Sequence, residues 1–369
     1  MRAIGIILTG GKNEQLGQLA AGRAVAAMPI ASSYRAIDFT MSNMANSGIQ
    51  KVGVVTQYNS RSLIDHLSSA KWWDLGRKYG GLFIFSPYLI RDNFLWYRGT
   101  ADALYQNISF LKRSNEPYVI IAPGSHIYKI DYAKLLTYHI EQEADITLVC
   151  KQLEESNCSN YTVVQMDEKK RIIHLEDKPL DPLTNVISMG IYVIQRTLLI
   201  RLLETISSED RFDLVNDLLI RYRKKLKMMG YLFQDYWRDL CNIKEYYDAN
   251  MDFLRQEVRD LFLKQSPYIV TKVKDEAPAK YNINAEVRNS LVGDGCIING
   301  KIDQSVFFRR VYIGDQSLVA GSIVLEGSYI GNGCRVENAI VDKEVVISDG
   351  KQIIGTPENP VIVKKGTVI

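Results

Sequence analysis

The sequence lacks any long apolar run. Nothing in it approaches the roughly 18–20 uninterrupted apolar residues that a membrane-crossing helix needs. A brief apolar start, Ile4-Gly5-Ile6-Ile7-Leu8, resembles the core of a secretion signal but is too short. Gly10-Gly11-Lys12-Asn13-Glu14 ends it without a cleavage-site pattern, so it reads as a first β-strand of a cytoplasmic protein. Charge of one sign is also lacking: 45 basic side chains face 42 acidic ones, for a net charge of +3. That balance argues against nucleic acid or an anionic membrane as a partner. Cysteine is sparse and odd in number, with Cys150, Cys158, Cys241, Cys296 and Cys334 scattered and no Cys-x-x-Cys pair. This pattern reads as buried or idle thiols rather than as a zinc site or a disulfide framework. His66, His139 and His174 have no metal-ligand spacing and read as structural. The basic run Arg221–Lys227 reads as a solvated helix face.

What is present is enough apolar residue, 46% of 369, to build more than one domain core. Up to about residue 250, apolar strands alternate with helical patterns. Strands are expected at Ile4–Thr9, Gln50–Thr56, Tyr118–Ala122, Ala144–Cys150 and Val186–Ile194, with a helix over Ser60–Leu67. Near-continuous apolar strands separated by helices predict a mostly parallel sheet covered on both faces. In such α/β sheets ligands bind beyond the carboxyl ends of the strands, which directs attention to the loops after Leu8 and Ala122. One helix is expected over residues 240–265. From about residue 282 helical periodicity vanishes, and apolar residues recur about every six positions, as at Ile313, Val319 and Leu325. That is the pattern of a parallel β-helix, whose coils bury their apolar residues by stacking. The expected division is a first domain over 1–252, a helix and linker over 253–281, and a β-helix over 282–369.

The Gly10-Gly11 turn after the first strand lets backbone N–H groups approach phosphate closely. Alone it is a weak signal, but it opens an ordered series. The series continues through Ser33–Phe39, Met41-Ser42-Asn43, Asn46–Ile49, Thr56–Ser60 and Trp96–Ala103. It then runs through Gly124, His126–Lys129, Lys178-Pro179, Ser188–Tyr192 and Tyr236–Asp239. Across essentially the whole chain this series resembles bacterial ADP-glucose pyrophosphorylase (glucose-1-phosphate adenylyltransferase), which activates glucose 1-phosphate with ATP for glycogen synthesis. The resemblance implies a Rossmann-like, GT-A-like nucleotidyltransferase domain followed by a left-handed β-helix. It also implies nucleotide contacts at Gly10, Gly11, Gly99, Thr100 and Asp102. Sugar-phosphate contacts are implied at Glu176, Lys178, Ser188, Tyr192 and Trp237, and relay of activator binding at Gln57 and Trp96. Core packing is the alternative reading of Trp96. At Glu176 the sequence departs from the family: Leu175–Pro179 is shifted by one residue against the family's Glu-Lys-Pro.

The departures fall in one region. Asn13 replaces the third glycine of the first loop, and Gln15 replaces the arginine that stabilises triphosphate and leaving pyrophosphate. Val25 stands where the family has a phosphate-facing lysine. Ser125 replaces the aspartate that holds Mg²⁺ together with a second carboxylate, matched here by Asp239 as a lone remnant. Leu240-Cys241-Asn242 replaces Val-Gly-Thr. Transfer at phosphorus depends on positioning and charge stabilisation, and glutamine, valine and serine supply neither cation nor metal ligand. The resemblance with these losses implies the regulatory, GlgD-type subunit, inactive or weakly active alone and modulating a catalytic sister chain in a heterotetramer. Such a chain needs no cofactor of its own; Mg²⁺ serves the catalytic partner. A sugar-phosphate or nucleotide effector is a further expected partner. An active enzyme with an atypical phosphate site and a ligand-free scaffold of the assembly remain as alternatives.

Overall fold

The computed structural model describes residues 2–11, 14–76, 80–87, 96–154 and 158–369. A nine-stranded sheet organises the first domain. Its order is Ile172–Asp177, Thr162–Met166, Val186–Gln195, Tyr118–Pro123, Ala3–Leu8, Lys51–Val55 and Gly81–Phe85. Ile146–Gln152 pairs with Val186–Gln195 and also with Met228–Leu232. The central strand Ala3–Leu8 runs parallel to both neighbours, Lys51–Val55 and Tyr118–Pro123. Its sequence is apolar at nearly every position because both faces are covered. Successive side chains point to opposite faces: Ile4 and Ile6 enter one core with Val119, Ile121 and Leu148. Ala3 and Ile7 enter the other with Ile37 and Met41 of the helix Ala36–Asn46.

The sheet is mixed rather than wholly parallel. Val186–Gln195 runs antiparallel to Tyr118–Pro123 and to Ile146–Gln152. An apolar run records that both faces are buried and carries no information about strand direction. The register of Val186–Gln195 against Ile146–Gln152 shifts between Ser188 and Ile191, where Gly190 adopts φ 69°. Such a bulge bends a strand and re-aims its side chains. The helix expected over 240–265 is broken into Ile243–Asp252, Gln256–Arg259 and Asp260–Lys264. Asn242 starts the first piece, its side chain accepting a 2.8 Å hydrogen bond from the Glu245 amide. No helix among the described residues is long and apolar enough to cross a membrane.

From Lys280 the chain forms three five-stranded parallel sheets wound around one axis. Ile313, Ile330 and Ile347 stack in register along one sheet, and Val319, Val336 and Ile353 along another. Their side chains fill the coil interior. The arrangement is consistent with a left-handed β-helix: the six-residue pattern predicts the parallel β-helix, and the family resemblance implies its hand. The β-helix shares a core with the first domain. Val306, Phe308, Ile323, Leu325 and Ile340 pack with Tyr246, Tyr247, Phe253 and Phe262. At the same junction the Arg23 guanidinium holds both carboxylate oxygens of Asp342, at 2.6 and 2.9 Å. That bidentate pair is buried, so losing either partner strands the other charge.

Burial of His139 in the helix Tyr132–Glu141 yields a prediction. Its Nδ1 lies 2.8 Å from the Thr147 hydroxyl, its ring packs edge-on to Tyr118, and burial pushes its pKa down to about 4. Below its ordinary value of 6.5, the unfolded chain takes up a proton that the native imidazole refuses. Stability therefore falls as pH drops from that value towards the native one. Urea midpoints measured across this window should show the slope, and His139→Gln should flatten it. An unchanged slope in that variant contradicts the assignment.

Candidate functional site

A cavity of about 730 Å³ opens at the carboxyl ends of the central strands. Leu8, Thr9 and Gly11 reach it from the first strand, and Ser125 from the loop after Tyr118–Pro123. Gln15 and Val25 reach it from the segment that follows the first strand, and Lys178 from the end of Ile172–Asp177. Asp239, Leu240 and Cys241 close it. The structure thus brings Gln15, Val25 and Ser125, far apart in sequence, to one cavity with Gly11, Lys178 and Asp239. Asn13 lies outside the described residues.

Local constraints hold these loops. The Thr9 amide and hydroxyl both donate to the Val55 carbonyl, each at 2.9 Å. The Gly124 amide donates to the Leu8 carbonyl at 3.0 Å. A Cβ on Gly124 would lie 2.6 Å from Thr9 Cγ2 and 2.9 Å from Ile37 Cδ1, so any larger residue must push aside side chains of the first strand's end and of the helix Ala36–Asn46. Thr40 Oγ1 donates to the Pro123 carbonyl at 2.8 Å. It also lies beside the Tyr128 hydroxyl, whose pKa burial pushes up to about 12. The loop that presents Ser125 is therefore set by a buried backbone approach and a buried hydroxyl chain.

Asp239 is held by residues whose roles the sequence did not reveal. A two-stranded antiparallel ribbon pairs His126–Tyr128 with Trp237–Asp239, placing Asp239 opposite His126. His126 Nε2 lies 3.1 Å from Asp239 Oδ1, and the Trp237 indole Nε1 donates to His126 Nδ1 at 3.2 Å. An indole N–H can only donate, so Nδ1 accepts and Nε2 directs its hydrogen at Asp239. One carboxylate oxygen is thereby occupied within the protein. Mg²⁺ between phosphates calls for hard oxygen ligands, chiefly carboxylates. Here Ser125 offers a hydroxyl, and Asp239 is partly engaged. Among the described residues no group of three His, Cys, Asp or Glu side chains is placed to hold a metal. Of the two carboxylates that the family resemblance implies for a catalytic Mg²⁺ site, the cavity keeps Asp239 and has Ser125 in place of the other. Burial, with Asp239 nearby, also pushes the Cys241 thiol up to about 11, so it stays protonated at neutral pH.

Other expected site residues lie outside this cavity. Gly10 sits beside the Gln57 side chain, whose Nε2 is 3.4 Å from the Tyr97 carbonyl. Gly99 and Thr100 turn into the helix Thr100–Gln106 against the Phe212 carbonyl, which accepts from the amides of Ala101 and Asp102 at 2.8 and 3.2 Å. A Cβ on Gly99 would lie 2.4 Å from that oxygen. The Asp102 carboxylate is buried and accepts from the Arg98 amide and from Gln106, each at 2.9 Å. Ser188 and Tyr192 are buried on the bulged strand, and burial pushes the Tyr192 phenol up to about 12. Glu176 is exposed, 3.4 Å from His174 Nε2. Trp237 borders a neighbouring cleft. Trp96 is 56% exposed and stacks on Tyr58 with centroids 5.1 Å apart, so core packing does not explain it.

A second cavity, of about 410 Å³, lies between the domains and is strongly basic. Arg23, Arg35, Lys343, Lys364 and Lys365 line it with Asp342. Arg23 Nη1 is buried with no partner among the described residues. Burial lowers the pKa of Arg35 and of Lys343. Arg23 and Asp342 are 319 positions apart, and no local pattern could have paired them.

The nucleotidyl transferase family profile matches residues 4–256, and that of the GlmU-like C-terminal hexapeptide matches 276–360. The chain is 39% identical over 355 residues to proteins named glucose-1-phosphate adenylyltransferase from Bacillus thuringiensis (strain Al Hakam) and Bacillus anthracis. The match covers 95% of this chain and 94% of each relative. The protein of the same name from Bacillus mycoides (strain KBAB4) is 38% identical over the same share.

The packing around Gly124 gives a direct check on this geometry. Gly124→Ala should lower stability by about 1–3 kcal/mol through overpacking, read from urea denaturation. A variant as stable as the parent contradicts the placement of this loop.

Proposed function

Because the chain belongs to the glucose-1-phosphate adenylyltransferase family, we propose that it is a regulatory, catalytically deficient subunit of that enzyme. In this reading it assembles with a catalytic sister chain, as a heterotetramer, and tunes the formation of ADP-glucose and pyrophosphate from ATP and glucose 1-phosphate in bacterial glycogen synthesis. The observation that carries the reading is the convergence of Gln15, Val25 and Ser125 on one cavity whose remaining carboxylate at the metal position, Asp239, is hydrogen-bonded to His126. Adenylyl transfer builds negative charge on the leaving pyrophosphate. Each preorganised group that stabilises such charge is worth roughly 10²–10³ in rate. The losses are not additive, yet a single factor of that size already makes a poor enzyme. Lys178 remains at the cavity and is the residue best placed to meet a sugar ligand.

The basic interdomain cavity supports the regulatory half of the reading. A buried guanidinium nitrogen without a partner carries a desolvation cost that a phosphate oxygen relieves. A sugar phosphate or nucleotide is thus the effector class that this cavity favours. A third cavity, of about 310 Å³, is lined by Gly11, Glu14, Arg23, Val25 and Tyr58. The segment from Glu14 to Ala27 therefore borders both the depleted pocket and the interdomain cavity. Any coupling between the sites requires two arrangements of such a shared element.

The relatives' enzyme name favours a second reading, an active adenylyltransferase with an atypical phosphate site. Restoration of charge separates the two. Gln15→Arg, Val25→Lys and Ser125→Asp together should raise the isolated chain's rate with ATP, glucose 1-phosphate and Mg²⁺ by at least ~10²-fold. A folded triple variant no faster than the parent contradicts the assigned defect. In the co-purified assembly, Lys364→Gln with Lys365→Gln, both exposed on the cavity's rim, should weaken the response to a phosphorylated effector while leaving assembly intact by mass measurement. An unaltered response removes the interdomain cavity from the account.

A further inference from the structure

Two clefts meet at Asp239. One is the depleted cavity; the other, about 750 Å³, is lined by Tyr161, Phe233 and Trp237 together with Gln152, Gln234 and Lys151. The Tyr161 and Trp237 rings pack against each other with centroids 5.7 Å apart. The Tyr161 hydroxyl lies 3.8 Å from Cys241 Sγ on the first cleft's wall.

The charges in both clefts suit a phosphate poorly. In the first, the described carboxylates Glu14 and Asp239 face one ammonium group, Lys178. In the second, each cation is already engaged. Lys244 is held by Asp248, Arg238 by Glu245 and Asp252, and Lys151 donates to the carbonyls of Gln234 and Asp235. Among the described lining residues of the two clefts, carboxylates (Glu14, Glu154, Asp239, Glu245 and Asp248) outnumber cations by one, and Lys178 is the cation outside those contacts, so a phosphate finds little compensating charge there. An uncharged polyhydroxylated ligand meets the opposite situation. Ser125 and the exposed side-chain amides of Asn160, Gln152 and Gln234 line the two clefts and offer a hydroxyl and three amides to a ligand. Together with Lys178 and the carboxylates they supply interleaved donors and acceptors, the combination that hydroxyl groups satisfy in both roles. The aromatic side chains of the second cleft give the C–H face of a sugar ring an apolar surface.

We infer that this paired cleft binds an uncharged sugar, a hexose or short oligosaccharide, in place of a phosphorylated one. The inference rests on the reading of the first cavity as stripped of phosphate chemistry. Lys178 then donates to a hydroxyl, and Asp239 accepts one through the oxygen not held by His126. Binding of this kind makes the pocket a sensor of free sugar, physically separate from the basic interdomain cavity that suits anions.

Calorimetric titration of the isolated full-length chain tests this with glucose, maltose, maltotriose, glucose 1-phosphate and MgATP. Maltose or maltotriose should bind in the millimolar range, with glucose 1-phosphate and MgATP at least tenfold weaker at the same site. Asn160→Leu and Gln234→Leu should each weaken the uncharged sugar at least tenfold in a chain whose circular dichroism is unchanged. Glu14→Gln should instead raise the affinity for glucose 1-phosphate. Sugar binding should also change the fluorescence of the parent but not of Trp237→Phe. Absence of sugar binding, or tighter binding of glucose 1-phosphate than of maltose by a chain that is inert in turnover, overturns this inference alone. Turnover of ATP and glucose 1-phosphate by the isolated chain overturns the regulatory reading with it.

Discussion

The strand Ala3–Leu8 is hydrogen-bonded in parallel on both sides, and its register against Lys51–Val55 and Tyr118–Pro123 places three loops at one edge of the sheet. That constraint sets everything that follows. Thr9 is tied to Val55, Gly124 is pressed against Thr9 and Ile37, and Ser125 is delivered beside Gly11 and Val25. An interior packed to crystal-like density leaves such loops little freedom. The cavity's shape is therefore inherited from the core, while its chemistry depends on the few side chains that line it. Replacing those side chains can silence the chemistry without disturbing the fold.

The pattern of retention fits that division. Gly124 is required by packing, and glycine is present. Val25 packs against the core that the two domains share, and Gln15, Val25 and Ser125 all line the cavity, at the positions where the family resemblance implies charged groups. Asp239 is intermediate: it borders the cavity, but its partners His126 and Trp237 give it a structural place in a short ribbon. The same holds at the domain junction, where Arg23 anchors Asp342 with one nitrogen, keeps the other buried without a partner among the described residues, and lines a basic cavity. One side chain there both joins the domains and borders a cavity, so a ligand that favoured one arrangement of that contact would shift the balance between arrangements.

Much of this was legible in the sequence. Apolar runs marked the central strands because both faces of the sheet are buried. The six-residue rhythm marked the β-helix because one inward residue per face must repeat in every coil. Strand-end convergence pointed to the loops after Leu8 and Ala122, while Gln15, Val25 and Ser125 were singled out by the family resemblance. Strand direction was not legible, since Val186–Gln195 has the same apolar texture whichever way it runs. The break after Asp252 was hidden because the apolar spacing continues across it. The His126–Asp239 bond and the Arg23–Asp342 pair depend on cross-strand register and domain docking, which no local window contains. Gly99, Thr100 and Asp102 carry a family motif, yet their backbone and carboxylate groups are engaged with Phe212, Arg98 and Gln106 rather than with the cavity. A motif can thus serve the packing of a helix start as well as a ligand.

The central claim is that the fold has been kept while the charge needed for adenylyl transfer has been lost. The most direct measurement compares initial rates for the isolated chain, for its catalytic sister chain and for their co-purified assembly, all with ATP, glucose 1-phosphate and Mg²⁺. The account predicts a rate for the isolated chain at least ~10²-fold below that of the sister. It also predicts an assembly whose response to phosphorylated effectors differs from the sister's own. Turnover by the isolated chain comparable to that of the sister would contradict it.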